Sequence, residues 1–312
     1  MKTFVPGTLA FCFLAGMIGA AQTPEPFLLK PLGHGGWAAI DNSLAKAQQS
    51  GSNAGFVIGS DIVLVVDTFE NALAAQKLLA TIRQKTPLPV RFVVNSHYHL
   101  DHVAGNGVFA AAGATILAQQ NVRKWERTEN LKFFGDKITA QQRASVEELR
   151  LPDVTYSQGV TVYVGGDRAV VLRAMPGHTG GDTVAYDAES DVVFCGDLFW
   201  NRTLPNLIDA STKEWIETLD TLAKDYPSAV FVPGHGDNPG KADDVRALRD
   251  YLSFLRESIA RAQAGGASGD AVVKAVLPRI KAKYGDWAFF SFAVPDIQRT
   301  DEELRGVKRL PQ

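Results

Sequence analysis

Cysteine is nearly missing from this chain: there are two in 312 residues, Cys12 and Cys195. Cys12 lies inside an apolar N-terminal run, so a chain trimmed of that run keeps one thiol and has no intrachain disulfide. A surplus of positive charge is missing too. With Lys+Arg 32, Asp+Glu 34 and a formal net charge of -2, nothing is left over to neutralise a phosphate backbone. That excludes the common nucleic-acid-binding classes and favours a small-molecule substrate. Histidine is scarce at 6, which makes its placement informative. What is plentiful is ordinary: 46% hydrophobic and 21% charged residues, a composition that builds a large core rather than a disordered chain.

The opening MKTFVPGTLAFCFLAGMIGAAQTPEP sets Lys2 before an apolar run that ends in small residues. This is the order of a secretory signal peptide, with cleavage expected after Ala21. The run is short for a membrane span, so the mature protein is expected in the periplasm or secreted, without stable membrane insertion. Beyond it, Ala54–Ile58 and Ile62–Val66 flank Gly59-Ser60-Asp61 and read as a hairpin that ends at Asp67. Ala75, Leu78, Leu79 and Ile82 then recur at helical spacing, Pro87 and Pro89 break the pattern, and Val90–Val94 resumes a strand. The rhythm returns with strands at 169–174, 183–186 and 191–195, a helix over 211–224 and a strand at 229–232, which suggests two similar halves. The expected division is a signal peptide at 1–21, a main domain at 27–240 and a C-terminal helical extension at 241–312, whose aromatic stretch 284–292 packs back on the main domain.

The chemistry concentrates after the Val90–Val94 strand. Asn95-Ser96-His97-Tyr98-His99-Leu100-Asp101-His102 holds four potential metal ligands within six residues. In extended chain, residues two apart point the same way, so His97 and His99 grip one ion while Asp101 and His102, at the turn into a helix, reach toward another. Two more histidines repeat one local grammar: Pro176-Gly177-His178 and Pro233-Gly234-His235 each follow an apolar strand. Asp197 also closes a strand, and one carboxylate there has two oxygens to offer two cations.

These residues resemble the metallo-β-lactamase superfamily, whose hallmark His-x-His-x-Asp-His runs from 97 to 102 here and is followed in order by His178, Asp197 and His235. The resemblance implies an α/β fold, a four-layer αββα sandwich, here with a C-terminal helical extension, and a site at one edge between the sheets. It implies a first metal held by His97, His99 and His178, a second by Asp101, His102 and His235, a bridge at Asp197, and Asp67 orienting a ligand histidine. Asp197 stands where some lactamases have a Cys ligand, which is more similar to the glyoxalase II type. Cys195, two residues earlier, is then a small buried strand residue.

Two zinc ions per chain are the implied cofactor, with iron or manganese also compatible with such ligands. The implied reaction is metal-activated hydrolysis of a cyclic amide or ester, β-lactam or lactone, with Asp101 as the catalytic carboxylate. Alternatives are a thioesterase or phosphodiesterase of the same fold, a mononuclear iron dioxygenase, and a metal-binding protein without turnover. Lactamases of the Cys type place a Lys where this chain has Trp200, which weakens a carboxylate-bearing drug as substrate. Trp200, Asn201, Arg202 and Phe69 are the expected substrate contacts, and Trp125, Phe133 and Phe134 further candidates for an apolar entrance.

Overall fold

Strand pairing in the computed structural model, which describes residues 25–42 and 50–311, yields two sheets. The expected leader at 1–21 lies outside the described residues. The first sheet runs in chain order through β1 (Phe27–Gly33), β2 (Gly36–Asp41), β3 (Ala54–Ile58), β4 (Val63–Val66), β5 (Val90–Asn95), β6 (Thr115–Gln119) and β7 (Val154–Tyr156). Its neighbours are antiparallel as far as β4 and parallel from there on. The second is formed by β8 (Gly159–Gly165), β9 (Arg168–Ala174), β10 (Thr183–Asp187), β11 (Val192–Phe194) and β12 (Val230–Val232), in the spatial order β12-β11-β10-β9-β8. Only β11 and β12 are parallel in it.

The two-residue period of the strands builds the layers. On β4, Leu64 and Val66 face the second sheet and meet Val170, Leu172 and Phe194, whereas Val63 and Val65 face the helix α1 (Ala72–Lys85) with its buried Leu78 and Ile82. On the second sheet, Val193 and Phe231 turn outward against the helices α7 (Thr212–Asp225) and α8 (Ala242–Ala264). The result is helix, sheet, sheet, helix, the four-layer αββα order that the resemblance implies.

Between β5 and β7 the chain forms α2 (Leu100–Val103), α3 (Asn106–Ala111), α4 (Gln120–Trp125), α5 (Thr128–Phe134) and α6 (Ala140–Glu147). After α8 come α9 (Asp270–Tyr284) and α10 (Ala293–Leu304). The last helix was not expected from periodicity, and the whole C-terminal segment shares one core with the sandwich. Trp215, Leu219 and Leu222 of α7 belong to the same apolar cluster as Val245, Leu248, Leu252 and Leu255 of α8. Amphipathic helices with such faces are stable only when the faces meet.

The two halves do repeat. β3-β4-α1-β5 and β10-β11-α7-β12 are each an antiparallel hairpin followed by a helical crossover to a parallel strand. Corresponding strand ends therefore lie together: Asp67 follows β4 as Asp197 follows β11, and the His97 run follows β5 as His235 follows β12. Sites in open sheets gather at such carboxyl ends.

Candidate metal centre

Beyond β5 the chain stays extended through His99, which caps α2 with φ -63 and ψ 145. His97 and His99 consequently share a side, with ring centroids 4.7 Å apart, while Tyr98 turns the opposite way and packs its ring on Trp125 at 5.9 Å. Asp101 and His102 follow in the single turn of α2. The donor atoms form two groups, His97, His99, His178 and Asp197 in one and Asp101, His102 and His235 in the other, each with its atoms within 4.8 Å of one another.

Asp197 lies between the groups. Its Oδ2 is 3.2 Å from His178 Nε2 and 3.7 Å from His97 Nε2, and its Oδ1 is 3.1 Å from His102 Nε2 and 3.4 Å from His235 Nε2. Asp101 Oδ2 is 3.2 Å from His235 Nε2 and 3.5 Å from His102 Nε2. The glycines of both Pro-Gly-His turns are required by close approach. A Cβ on Gly234 would lie 2.0 Å from Asp197 Oδ1, and one on Gly177 would lie 2.9 Å from the Trp215 ring.

Electrostatics pulls this cluster in two directions. Burial, helped by His102, holds His97 well below the usual imidazole range and pushes His178 down to about 3. His102 and His235 are buried as well, but Asp197 and Asp101 outweigh that cost, raising His102 well above its ordinary value and His235 to about 9. Burial pushes Asp197 up, yet the surrounding histidines, His235 first, hold it well below the normal carboxylate range. His97 Nε2, His102 Nε2 and Asp197 Oδ1 are buried without a hydrogen-bond partner among the described residues. Converging buried lone pairs of this kind are unfavourable unless a cation joins them, so the residues present fit two divalent metal ions with nitrogen and oxygen ligands.

Outer partners orient the ligands. Asp67, at φ 62 in the left-handed region, accepts from His102 Nδ1 at 2.9 Å, from Ser96 N at 2.7 Å and from Ser96 Oγ at 2.7 Å. Ser96 Oγ in turn lies 3.0 Å from His97 Nδ1, so one carboxylate steadies two ligand rings. Asp209 does the same for His99. Its Oδ2 is 3.2 Å from His99 Nε2 and accepts from Tyr98 OH at 2.6 Å, leaving His99 Nδ1 to face His178 Nε2 at 3.0 Å. Sequence reasoning missed Asp209, which sits just before Ser211, the N-cap of α7, and looks there like any helix-entry aspartate.

A cavity of about 380 Å³ opens onto His99, Asp101, Asp197 and His235, with Phe133, Phe134, Trp200, Phe289 and Phe292 as apolar walls. Trp200 thus stands where expected, its ring 4.1 Å from that of His235. The other expected contacts do not. Phe69 is fully buried behind the first sheet and stacks on Phe27 at 5.4 Å, because its left-handed φ of 70 turns it into the α1 core. Asn201 donates to Asn238 O at 2.9 Å, and Arg202 reaches Asp286 at 2.6 Å; neither lines the cavity. Trp125 is buried beside Tyr98 rather than at the entrance. Cys195 is buried with its thiol toward Val193 O at 3.6 Å, and burial raises its pKa. Phe289 and Phe292, from the C-terminal segment, were not foreseen as cavity walls.

A family model described as the metallo-beta-lactamase superfamily matches residues 47–235. The chain is 23% identical over 263 residues to a linear primary-alkylsulfatase of a Pseudomonas species, covering 71% of this chain and 49% of that one. It is 25% identical over 193 residues to a type 2 metallo-beta-lactamase of Bacteroides fragilis, covering 61% and 70%. It is 29% identical over 149 residues to a hydroxyacylglutathione hydrolase of Rhodospirillum rubrum, covering 47% and 48%. The chain therefore spans about half the length of the first and third of these relatives. The solved structure of a metallo-beta-lactamase from Pontibacter korlensis matches in fold, with a TM-score of 0.57 at 21% identity over 73% of this chain and 99% of that one.

Proposed function

Since the chain belongs to the metallo-β-lactamase superfamily, we propose that it is a hydrolase, an exported two-zinc enzyme that opens cyclic esters and amides. The observation that carries its two-metal core is the place of Asp197, with one oxygen toward each donor group. His97 Nε2, His99 Nδ1 and His178 Nε2 would hold one ion, Asp101, His102 and His235 the other, and Asp197 both. Bound there, such ions polarise a substrate carbonyl and bring the pKa of water toward neutrality.

The chain's own residues supply the rest. Asp101, with its side chain 30% exposed at the cavity floor, accepts a hydrogen bond from the attacking water and so orients it. Trp200 covers His235 and keeps bulk water off that side. Export rests on the leader, with its Lys2, its apolar run and its small-residue exit. Thioester hydrolysis is the second reading, favoured by a carboxylate rather than a thiolate at 197 and by the match to the hydroxyacylglutathione hydrolase.

Metal analysis of the purified protein, followed by lactone, β-lactam, thioester and phosphodiester substrates, tests the proposal. Two zinc ions per chain with lactone or β-lactam turnover is the expected result. One iron per chain with oxygen consumption, or full zinc with no turnover of any substrate, would overturn it.

A further inference from the structure

Among the described residues, Phe133 and Phe289 are the phenylalanines most open to solvent, at 63% and 49% exposure, and both line the cavity above the metal ligands. They come from distant parts of the chain, Phe133 from α5 and Phe289 from the segment after α9. Phe289 is not loosely placed. Its φ of 55 is left-handed, unusual for an aromatic residue, and its neighbour Ala288 is tied to the 202–204 segment by Ala288 N to Arg202 O and Leu204 N to Ala288 O, each 3.0 Å. Its ring packs on Trp200 and Phe292, each at 6.1 Å. Charge tells the other half. Among the described residues no lysine or arginine lines the cavity, and of its carboxylates Asp101 and Asp197 are spoken for as metal ligands, which leaves Glu70. Of the cations outside it, Lys132 pairs with Glu129 at 2.7 Å and Arg202 with Asp286 at 2.6 Å, while Arg299, Lys308 and Arg309 line a separate cavity that also borders His99 and Phe133.

We infer that this cavity selects substrates whose group beside the scissile bond is uncharged and apolar, an alkyl chain or aliphatic ring held between Phe133 and Phe289. The inference rests on the hydrolase reading above and narrows its substrate. An exposed aromatic pair that flanks a concave site gains by covering apolar surface, whereas an anionic group would leave its water without meeting a side-chain counter-charge.

The test uses 4-nitrophenyl acetate, butyrate and hexanoate with the metal-loaded full chain, together with the 4-nitrophenyl hemiester of adipic acid, which matches the hexanoate in length but carries a carboxylate. Full burial of one methylene is worth about fourfold, so kcat/KM should rise at least about tenfold from acetyl to hexanoyl in this open cavity. The adipate hemiester should lag the hexanoate at least about tenfold. In the Phe133→Ala/Phe289→Ala variant the hexanoyl-to-acetyl ratio should collapse toward one. A flat series in the unaltered protein, or a preference for the hemiester, would overturn the inference. If fully loaded protein hydrolyses none of these open-chain esters, the lactone and β-lactam panel above decides the hydrolase reading. Saturation-transfer NMR with ethanol, butan-1-ol and hexan-1-ol then decides the cavity by itself: chain-length dependence that the double variant loses supports the inference, and its absence sinks it.

Discussion

At the scale of single residues, Asp197 gives the sharpest expectation. Asp197→Asn keeps the shape and removes the one negative charge shared by both donor groups, so both metals should bind at least 10–100-fold more weakly, about the loss seen for outer partners alone. Activity should fall with occupancy while circular dichroism stays native. Unchanged metal content in the folded variant would remove the bridge. Glu126 offers a prediction independent of the metals. It is fully buried, neither carboxylate oxygen has a partner among the described residues, and burial outweighs Arg127 and Arg123 to push its pKa up to about 8. A carboxyl whose folded pKa lies above its unfolded value keeps its proton longer in the native state. Stability is therefore lost as pH rises from the unfolded value near 4.5 to about 8, and the loss is complete above that. Glu126→Gln should flatten the fall in melting temperature over this window and stabilise the protein by a few kcal/mol, roughly, at the alkaline end. An unaltered pH profile in the variant would show that Glu126 ionises normally.

At the scale of elements, the C-terminal segment reaches the ligands through one loop. Lys308 Nζ donates to Leu207 O at 2.6 Å and Ala210 O at 2.5 Å, clamping the turn that carries Asp209, and Asp209 orients His99. The following helix α7 is tied to the same segment, since Glu303 accepts from Thr212 N at 3.0 Å and from Arg256 Nη1 at 2.7 Å. Lys308→Met should loosen the turn and weaken the first metal about tenfold while sparing the second. Metal titration with cobalt, whose spectrum distinguishes the two ligand sets, reads the difference. Equal weakening of both ions would mean that Lys308 supports the fold in general and not His99 in particular.

At the scale of the whole molecule, helices after residue 240 complete the outer layer of the second sheet, since α7 and α8 bury their apolar faces against each other. A chain cut at 240 should expose Trp215, Leu219 and Leu222 and aggregate, and the intact protein should unfold in one transition by calorimetry. A soluble, folded truncation would show that the helical segment is a separate unit. Local pattern was enough for much of this architecture, because strand and helix periods and turn residues are written in neighbouring positions. The hairpin at 54–66, the strand entering His97, the repeated halves and both Pro-Gly-His strand ends were legible for that reason. Ligand density at 97–102 was legible too, since extended backbone dictates which neighbours share a side. What required the tertiary structure was every contact between distant segments. Asp209 looks like a helix-entry residue until the fold brings it 3.2 Å from His99, Phe69 looks like an entrance aromatic until a left-handed turn buries it, and Phe289 reaches the cavity from nearly 200 residues beyond the first ligand. Spacing along the chain carries the direction in which a side chain leaves its own element, and only packing of the elements decides what it meets.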